Sequence, residues 1–211
     1  DTRLTNTNLN GADVRGAKFA NAKVENVSMR GTKTSENSLD GLDASEIDIG
    51  DATKVIAFDE MAPEVKDKLE SHKKWISTNG AEGERGTLDG MDLSYHDLSG
   101  LDLSGIQMRG GKLRGAQLKA CSLILADLGG TDIFDANLCE AVIIGTNLAG
   151  ANLKRCNLAN AEMGEINIVS KDGTDTGRSH RTNFHEANLV RANTQGCNLD
   201  GCVLENAIRD N

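Results

Sequence analysis

Between Gly86 and Ile168 an aliphatic side chain, usually Leu, returns at every fifth residue without a slip. The series runs from Leu88, Leu93 and Leu98 through Leu123, Leu128 and Ile133 to Leu158, Met163 and Ile168. A small residue stands two places before many of them, as in Ala116, Cys121, Ala126, Thr131, Ala136, Ala141 and Ala151. Asp or Asn stands directly before, as in Asp127, Asp132, Asn137, Asn147 and Asn152. A period of five fits neither the 3.6 residues of an α-helix nor the two of a β-strand. It fits a short extended side that turns a corner. Residues two apart share one side of extended backbone, so the small residue and the aliphatic one face inward together. The other three face outward and build the corner, where Asp, Asn and Gly tolerate turn geometry. Gly duly follows at Gly100, Gly105, Gly110, Gly115, Gly130, Gly145 and Gly150.

The tandem order small, Asp/Asn, Leu, any, any resembles the pentapeptide repeat family, and the resemblance covers nearly all the chain outside two insertions. It implies an all-β fold, a right-handed quadrilateral parallel β-helix (a pentapeptide repeat solenoid), here with one inserted α-helix. The four sides come from the resemblance, not from the spacing. Successive coils would then stack at roughly 4.8 Å through backbone hydrogen bonds. Function is not implied with the same force, since one fold carries many activities.

The pattern divides the chain into N-terminal repeat coils at 1–52, a helical insertion at 53–85, central coils at 86–168, a polar loop insertion at 169–181 and C-terminal coils at 182–211. The first block repeats more weakly, with Thr34 and Ala44 as poor central residues, and should be the less stable end because it buries less apolar area. Within 53–85, Pro63 suits the first position of a helix and Glu64 its dipole. Val65, Leu69, His72 and Ile76 follow at helical spacing with Trp75 beside them, and Asn79-Gly80 supplies a stop. The spacing predicts one amphipathic helix over 63–77, too short to stand without a dock. Met91, Leu101 and Ile106, just after it, are bulkier than the usual inward residue.

Stacking residues twenty apart gives one face of the central block four outward apolar residues, Ile124, Leu125, Val142 and Ile144. Such a cluster is expected to be covered. The helix is the expected cover, with a subunit or partner interface as the competing use of the patch. Elsewhere Asp92, Lys112 and Asp132 form a ladder of alternating charge, and Phe134 lies between Arg114 and Lys154; these suit surface tuning. The polar insertion carries Lys171, Asp172, Asp175, Arg178, His180 and Arg181, a candidate recognition loop for a protein partner.

A net charge of −9 argues against direct binding of nucleic acid, whose phosphates need basic patches. The acids include a run without basic residues, Glu36, Asp40, Asp43, Glu46, Asp48 and Asp51. No apolar segment is long enough to span a membrane and no signal peptide is visible, which favours a cytoplasmic chain. The start at Asp1 leaves an upstream segment, and with it export, open. Four cysteines, Cys121, Cys156, Cys197 and Cys202, take the small inward position, while Cys139 should face outward. No metal or redox spacing appears. Among the histidines, His72 belongs to the helix and His96 to an inward position. His180 and His185 with Asp175 make too weak a set for a metal site. The recurring Asp residues are corner residues, not paired catalytic acids. No catalytic, cofactor-binding or metal residue is assigned, no cofactor is expected, and the chain is not expected to be an enzyme.

The leading expectation is a non-catalytic rigid scaffold or interaction module whose partner is another protein. The resemblance adds alternatives: a DNA mimic that binds type II topoisomerase and protects it from quinolones, or a secreted bacterial effector. A solenoid end leaves strand groups unpaired, so a homodimer through an end is also open, with the coil around Leu204 and Ile208 as its candidate.

Overall fold

A side of five residues closes into a coil when backbone groups find partners one turn later, and the bridges give that turn as twenty residues. Asp92 pairs in parallel with Lys112, Lys112 with Asp132 and Asp132 with Asn152, and the same step recurs on Gln107, Asp127 and Asn147. The computed structural model describes residues 3–14, 17–19, 22–29, 32–34, 47–48, 53–170 and 172–210, with only the backbone of 47–48 and 53–54. It is a mostly-β repeat fold in two compact units, Asp1–Glu60 and Met61–Asn211.

In the first unit β1 (Arg3–Thr5) pairs with β2 (Lys23–Glu25), β3 (Val27–Ser28) with β5 (Ile47–Asp48), and β4 (Lys33–Thr34) with β6 (Thr53–Lys54), all in parallel. Each pairing again joins residues twenty apart, Arg3 with Lys23 and Val27 with Ile47. Val27 and Met29 are its buried centre, with Leu4, Leu9, Phe19 and Val24 packed half-buried against them. Apart from the backbone of Asp48, the acidic run Glu36–Asp51 lies outside the described residues.

The second unit begins with α1 (Pro63–Ser77), the helix that the spacing predicts, with Pro at its start and Val65, Leu69 and His72 as its buried face. Coils follow from Thr87, and their inward pairs are closed to solvent: Ala116 and Leu118, Cys121 and Leu123, Ala126 and Leu128, Ala136 and Leu138 are each at most 1% exposed. The core is a narrow column of aliphatic and small side chains. Thr131 and Thr146 keep their hydroxyls inside it by donating to the Met108 and Leu123 carbonyls at 2.7 and 2.6 Å.

One part of the expected register is corrected. Ile168 continues the fivefold count but is not a core residue of a coil. It belongs to β7 (Glu165–Val169), which pairs antiparallel with β8 (Asp175–Arg181). The bridge from Asn147 skips to Asn183, a step of 36 where twenty is the rule, so sixteen extra residues form a hairpin in place of the expected loop at 169–181. The stretch Glu165-Ile166-Asn167-Ile168 alternates with period two, the strand period, and Gly164, at φ +135°, lets the backbone leave the coil.

Candidate functional site

The Asp or Asn that stands before many of the aliphatic residues is expected in the corner but lies one step ahead of it. Its backbone makes the bridge to the next coil, and its side chain reaches over the aliphatic residue to the corner. Asp92, Asp97 and Asp102 accept the N–H of Ser94, Ser99 and Ser104 at 3.0 Å, and Asn147 accepts that of Ala149 at 3.2 Å. The corner residue itself takes positive φ, as at Gly130, Gly145, Gly150, Leu125, Asp135 and Arg155. Between coils the same side chains form ladders: Asn147 donates to Asp127 at 2.9 Å and Asn152 to Asp132 at 2.8 Å.

Several surface acids are also paired with bases. Asp132 takes Arg114 at 2.8 Å, Asp135 takes Arg155 at 3.1 Å and Asp92 takes Lys112 at 3.5 Å. The expected Asp92–Lys112–Asp132 ladder therefore stops at its second rung, because Arg114 claims Asp132. Phe134 lies under Arg114 at 4.5 Å and Arg155 at 5.4 Å, so its second cation is Arg155 and not Lys154. Burial opposes ionisation of Asp127 and Asp132, but Arg109 and Arg114, with the N–H groups of Gly129 and Phe134, outweigh it and hold both carboxyls below the usual range.

The candidate patch meets the hairpin. Ile124, Leu125, Val142 and Ile144 are all half-buried. A Cβ placed on Gly145 would stand 2.8 Å from Ile166 Cγ2, 3.0 Å from Leu125 Cδ2 and 3.3 Å from the His180 carbonyl oxygen. Both hairpin strands and one patch residue thus converge on a glycine that leaves no room for a side chain. Helix α1 comes to the edge of this face. Its contacts are at the start of the coils, where Lys68 donates to the Thr87 carbonyl at 3.3 Å and His72 accepts the Gly86 N–H at 3.0 Å. Ile106 fills the coil beneath, its Cγ1 3.0 Å from a Cβ placed on Gly86. Trp75 reaches as far as Gly105, whose N–H donates to the Ile124 carbonyl at 2.7 Å.

Within the hairpin, the candidate recognition residues divide by task. Asp172 is absorbed by its own turn: hydrogen bonds from Ser170 and Thr174 lower its carboxyl to about 2. Asp175 accepts the Gly177 N–H at 2.9 Å. Arg181 pins the base by donating to the Gly201 carbonyl at 2.7 Å and that of Cys202 at 3.2 Å. Arg178 and His180 are exposed on β8, every residue of which is exposed. Lys171 lies outside the described residues. The spacing missed Val169, 58% exposed, and the anchoring Ile166; the two-residue alternation was the signal for both. His185 sits instead beside Glu186 at 3.4 Å and Glu205 at 3.7 Å, and His96 is buried, its Nδ1 3.0 Å from the Ser94 carbonyl. Among the described residues no three His, Cys, Asp or Glu side chains are grouped to hold a metal, and no helix is long and apolar enough to cross a membrane.

The model of the family described as pentapeptide repeats matches in eight copies over residues 1–33, 102–138, 131–168 and 180–208. The chain belongs to the pentapeptide repeat family. No curated protein matches it. Among solved structures it is similar to the pentapeptide repeat protein Rfr23 from the cyanobacterium Cyanothece 51142, with 24% identity over 59% of this chain and 84% of that one, at a TM-score of 0.36. It is similar to HetL, a pentapeptide repeat protein involved in heterocyst differentiation regulation in the cyanobacterium Nostoc, with 19% identity over 98% and 84%, at 0.32. It is also similar to full-length QnrB1, a plasmid-mediated fluoroquinolone resistance protein, with 14% identity over 100% and 92%, at 0.28. At these scores the likenesses carry no argument of their own. The pentapeptide repeat assignment rests on the family model and on the fivefold coil.

Proposed function

We propose that this pentapeptide repeat protein is a non-catalytic interaction or scaffold module that binds another protein through the β7–β8 hairpin and the apolar strip beside it. The coils are taken as a right-handed, four-sided parallel β-helix, a form supported by a repeat of five residues on a bridge step of twenty. In Met61–Asn211 the coils at 86–164 and 182–211 supply a rigid body, and α1 and the hairpin at 165–181 supply what is individual to this chain. The observation that carries the reading is the hairpin: its base is fixed by Ile166 and Arg181, while all of β8 faces solvent. An element held firmly at one end and bare along its length is suited to recognition. Free thiols at Cys121, Cys156 and Cys202 suit a reducing, cytoplasmic setting.

A DNA mimic acting on type II topoisomerase would need an unbroken acidic face. In Met61–Asn211 the acids Asp127, Asp132 and Asp135 are each bridged to an Arg, which favours the scaffold reading. The test replaces residues 167–179 by a short Gly-Ser turn and compares the two immobilised chains. A protein retained by the intact chain at low and high salt, and lost with the hairpin, is the expected result. Equal retention by both chains, or inhibition of gyrase supercoiling by the intact chain, would overturn the reading.

A further inference from the structure

The His72 imidazole has an environment that the scaffold role does not use. It is 0% exposed in the middle of α1 and stacks on Trp75 with ring centroids 5.7 Å apart. Its Nδ1 accepts the Gly86 N–H at 3.0 Å, which makes the ring neutral with its proton on Nε2. That Nε2 is buried and has no hydrogen-bond partner among the described residues.

What this ring holds in place is a cap. In the stack, the Gln107 carbonyl accepts the Leu88 N–H and the Asp127 carbonyl accepts that of Met108, each from one coil earlier. Thr87 stands in the same column at the start of the run, and there Lys68 Nζ of α1 takes the donor's place at 3.3 Å. Arg85, in the segment after α1, adds a donor to the Gly105 carbonyl of the first coil. Trp75 lies over Gly105, and His72 Cβ lies 3.2 Å from a Cβ placed on Gly86. The helix and its following segment thus supply donors and apolar cover to a coil edge that would otherwise be open.

We propose that α1 is an acid-released cap: a proton on Nδ1 of His72 abolishes the acceptor for Gly86, sets donor against donor, and frees the helix while the coils behind it stay folded. The charged groups facing the ring are Asp102 from the first coil, which favours the imidazolium, and Arg85 from the joining segment, which opposes it. Burial outweighs the attraction of Asp102 and holds the ring below its ordinary value. A base held neutral in this way binds fewer protons docked than released. Docking is therefore fully favoured above about pH 6.5 and weakens as pH falls below it.

Trp75 is the chain's single tryptophan and reports the release. Between about pH 7.5 and 5.5 its emission should move to the red, and the amides of α1 should exchange about tenfold faster after division by the intrinsic rate, while those of Leu123–Leu158 stay protected. The variant His72→Asn keeps an acceptor near Nδ1 that takes no proton, and its Trp75 should be insensitive over the same range. A triple variant with His96, His180 and His185 each changed to Asn should keep the wild-type transition. Ring-nitrogen NMR of the wild type provides the second readout, and His72 should pass from the Nε2–H tautomer to the imidazolium together with the Trp75 change. A Trp75 transition that survives His72→Asn, or that occurs while the His72 ring stays neutral, or no transition at all, would overturn the proposal.

Discussion

Where Asp or Asn stands before the aliphatic residue, its side chain does two things at once. Asn147 accepts the Ala149 N–H across its own corner, donates to Asp127 in the coil before, and receives the Asn183 amide at 3.3 Å from the coil after. Asn147→Ala should cost about 1–3 kcal/mol in denaturant unfolding, because neighbouring polar groups in a half-buried ladder lose their partners. The inward and outward assignment of each repeat position was legible in the sequence, since side-chain direction follows from spacing alone. The corner conformation was only half legible: Gly marks it at Gly145 and Gly150, but Leu125 at φ +57° shows a large residue accepting the same strain. Two glycines separate strain from contact. Gly150 has nothing within 4 Å of a Cβ, whereas Gly145 faces Ile166 and Leu125. Gly150→Ala should therefore cost about 1–2 kcal/mol for the left-handed backbone alone, and Gly145→Ala about 1–3 kcal/mol more, read from paired unfolding midpoints. The inward thiols make a further expectation. Burial pushes Cys121 and Cys156 up to about 12, so an aromatic disulfide reagent near pH 8 should label the half-buried Cys139 first and reach those two only on unfolding.

The two inserted elements were legible to different degrees. The helix was visible because Pro63, the apolar spacing and Asn79-Gly80 agree on its limits; its dock was not, since a stripe of Val65, Leu69 and His72 says that something is covered without saying what. Its hydrogen bonds are made at the start of the coils, from Lys68 to the Thr87 carbonyl and, from the segment after it, Arg85 to that of Gly105. The hairpin was obscured by coincidence, Ile168 falling on the fivefold count while belonging to a strand of period two. Its anchor is narrow. Ile166→Asp should detach the hairpin from Leu125 and Gly145 and raise binding of an apolar dye, with little change in the far-ultraviolet spectrum of the coils. An unchanged dye signal would show that Ile124, Leu125, Val142 and Ile144 are covered by some other means.

At the scale of the molecule, a chain that repeats every five residues and bridges every twenty builds its core one layer at a time, so chemistry is left to what interrupts it. Several surface acids of Met61–Asn211 are paired with bases between coils. Asp92, Asp127 and Asp132 have carboxyls held below their ordinary value, and a depressed carboxyl stabilises the fold above the unfolded value of about 3.9 and loses that contribution as pH falls through the folded one. Thermal melts of this unit should thus be level from neutral pH to about pH 4 apart from the earlier release of α1, then decline. The central claim is that a protein partner is read from the hairpin face. Its most direct measurement places a photocrosslinking amino acid at Ser179 on β8 and, in a second chain, at Cys139 beside the Asn137 ladder. One protein should be captured from Ser179 and not from Cys139, and the cross-link should disappear when Ile166→Asp frees the hairpin. Capture from Cys139 alone, or from both positions alike, would contradict it.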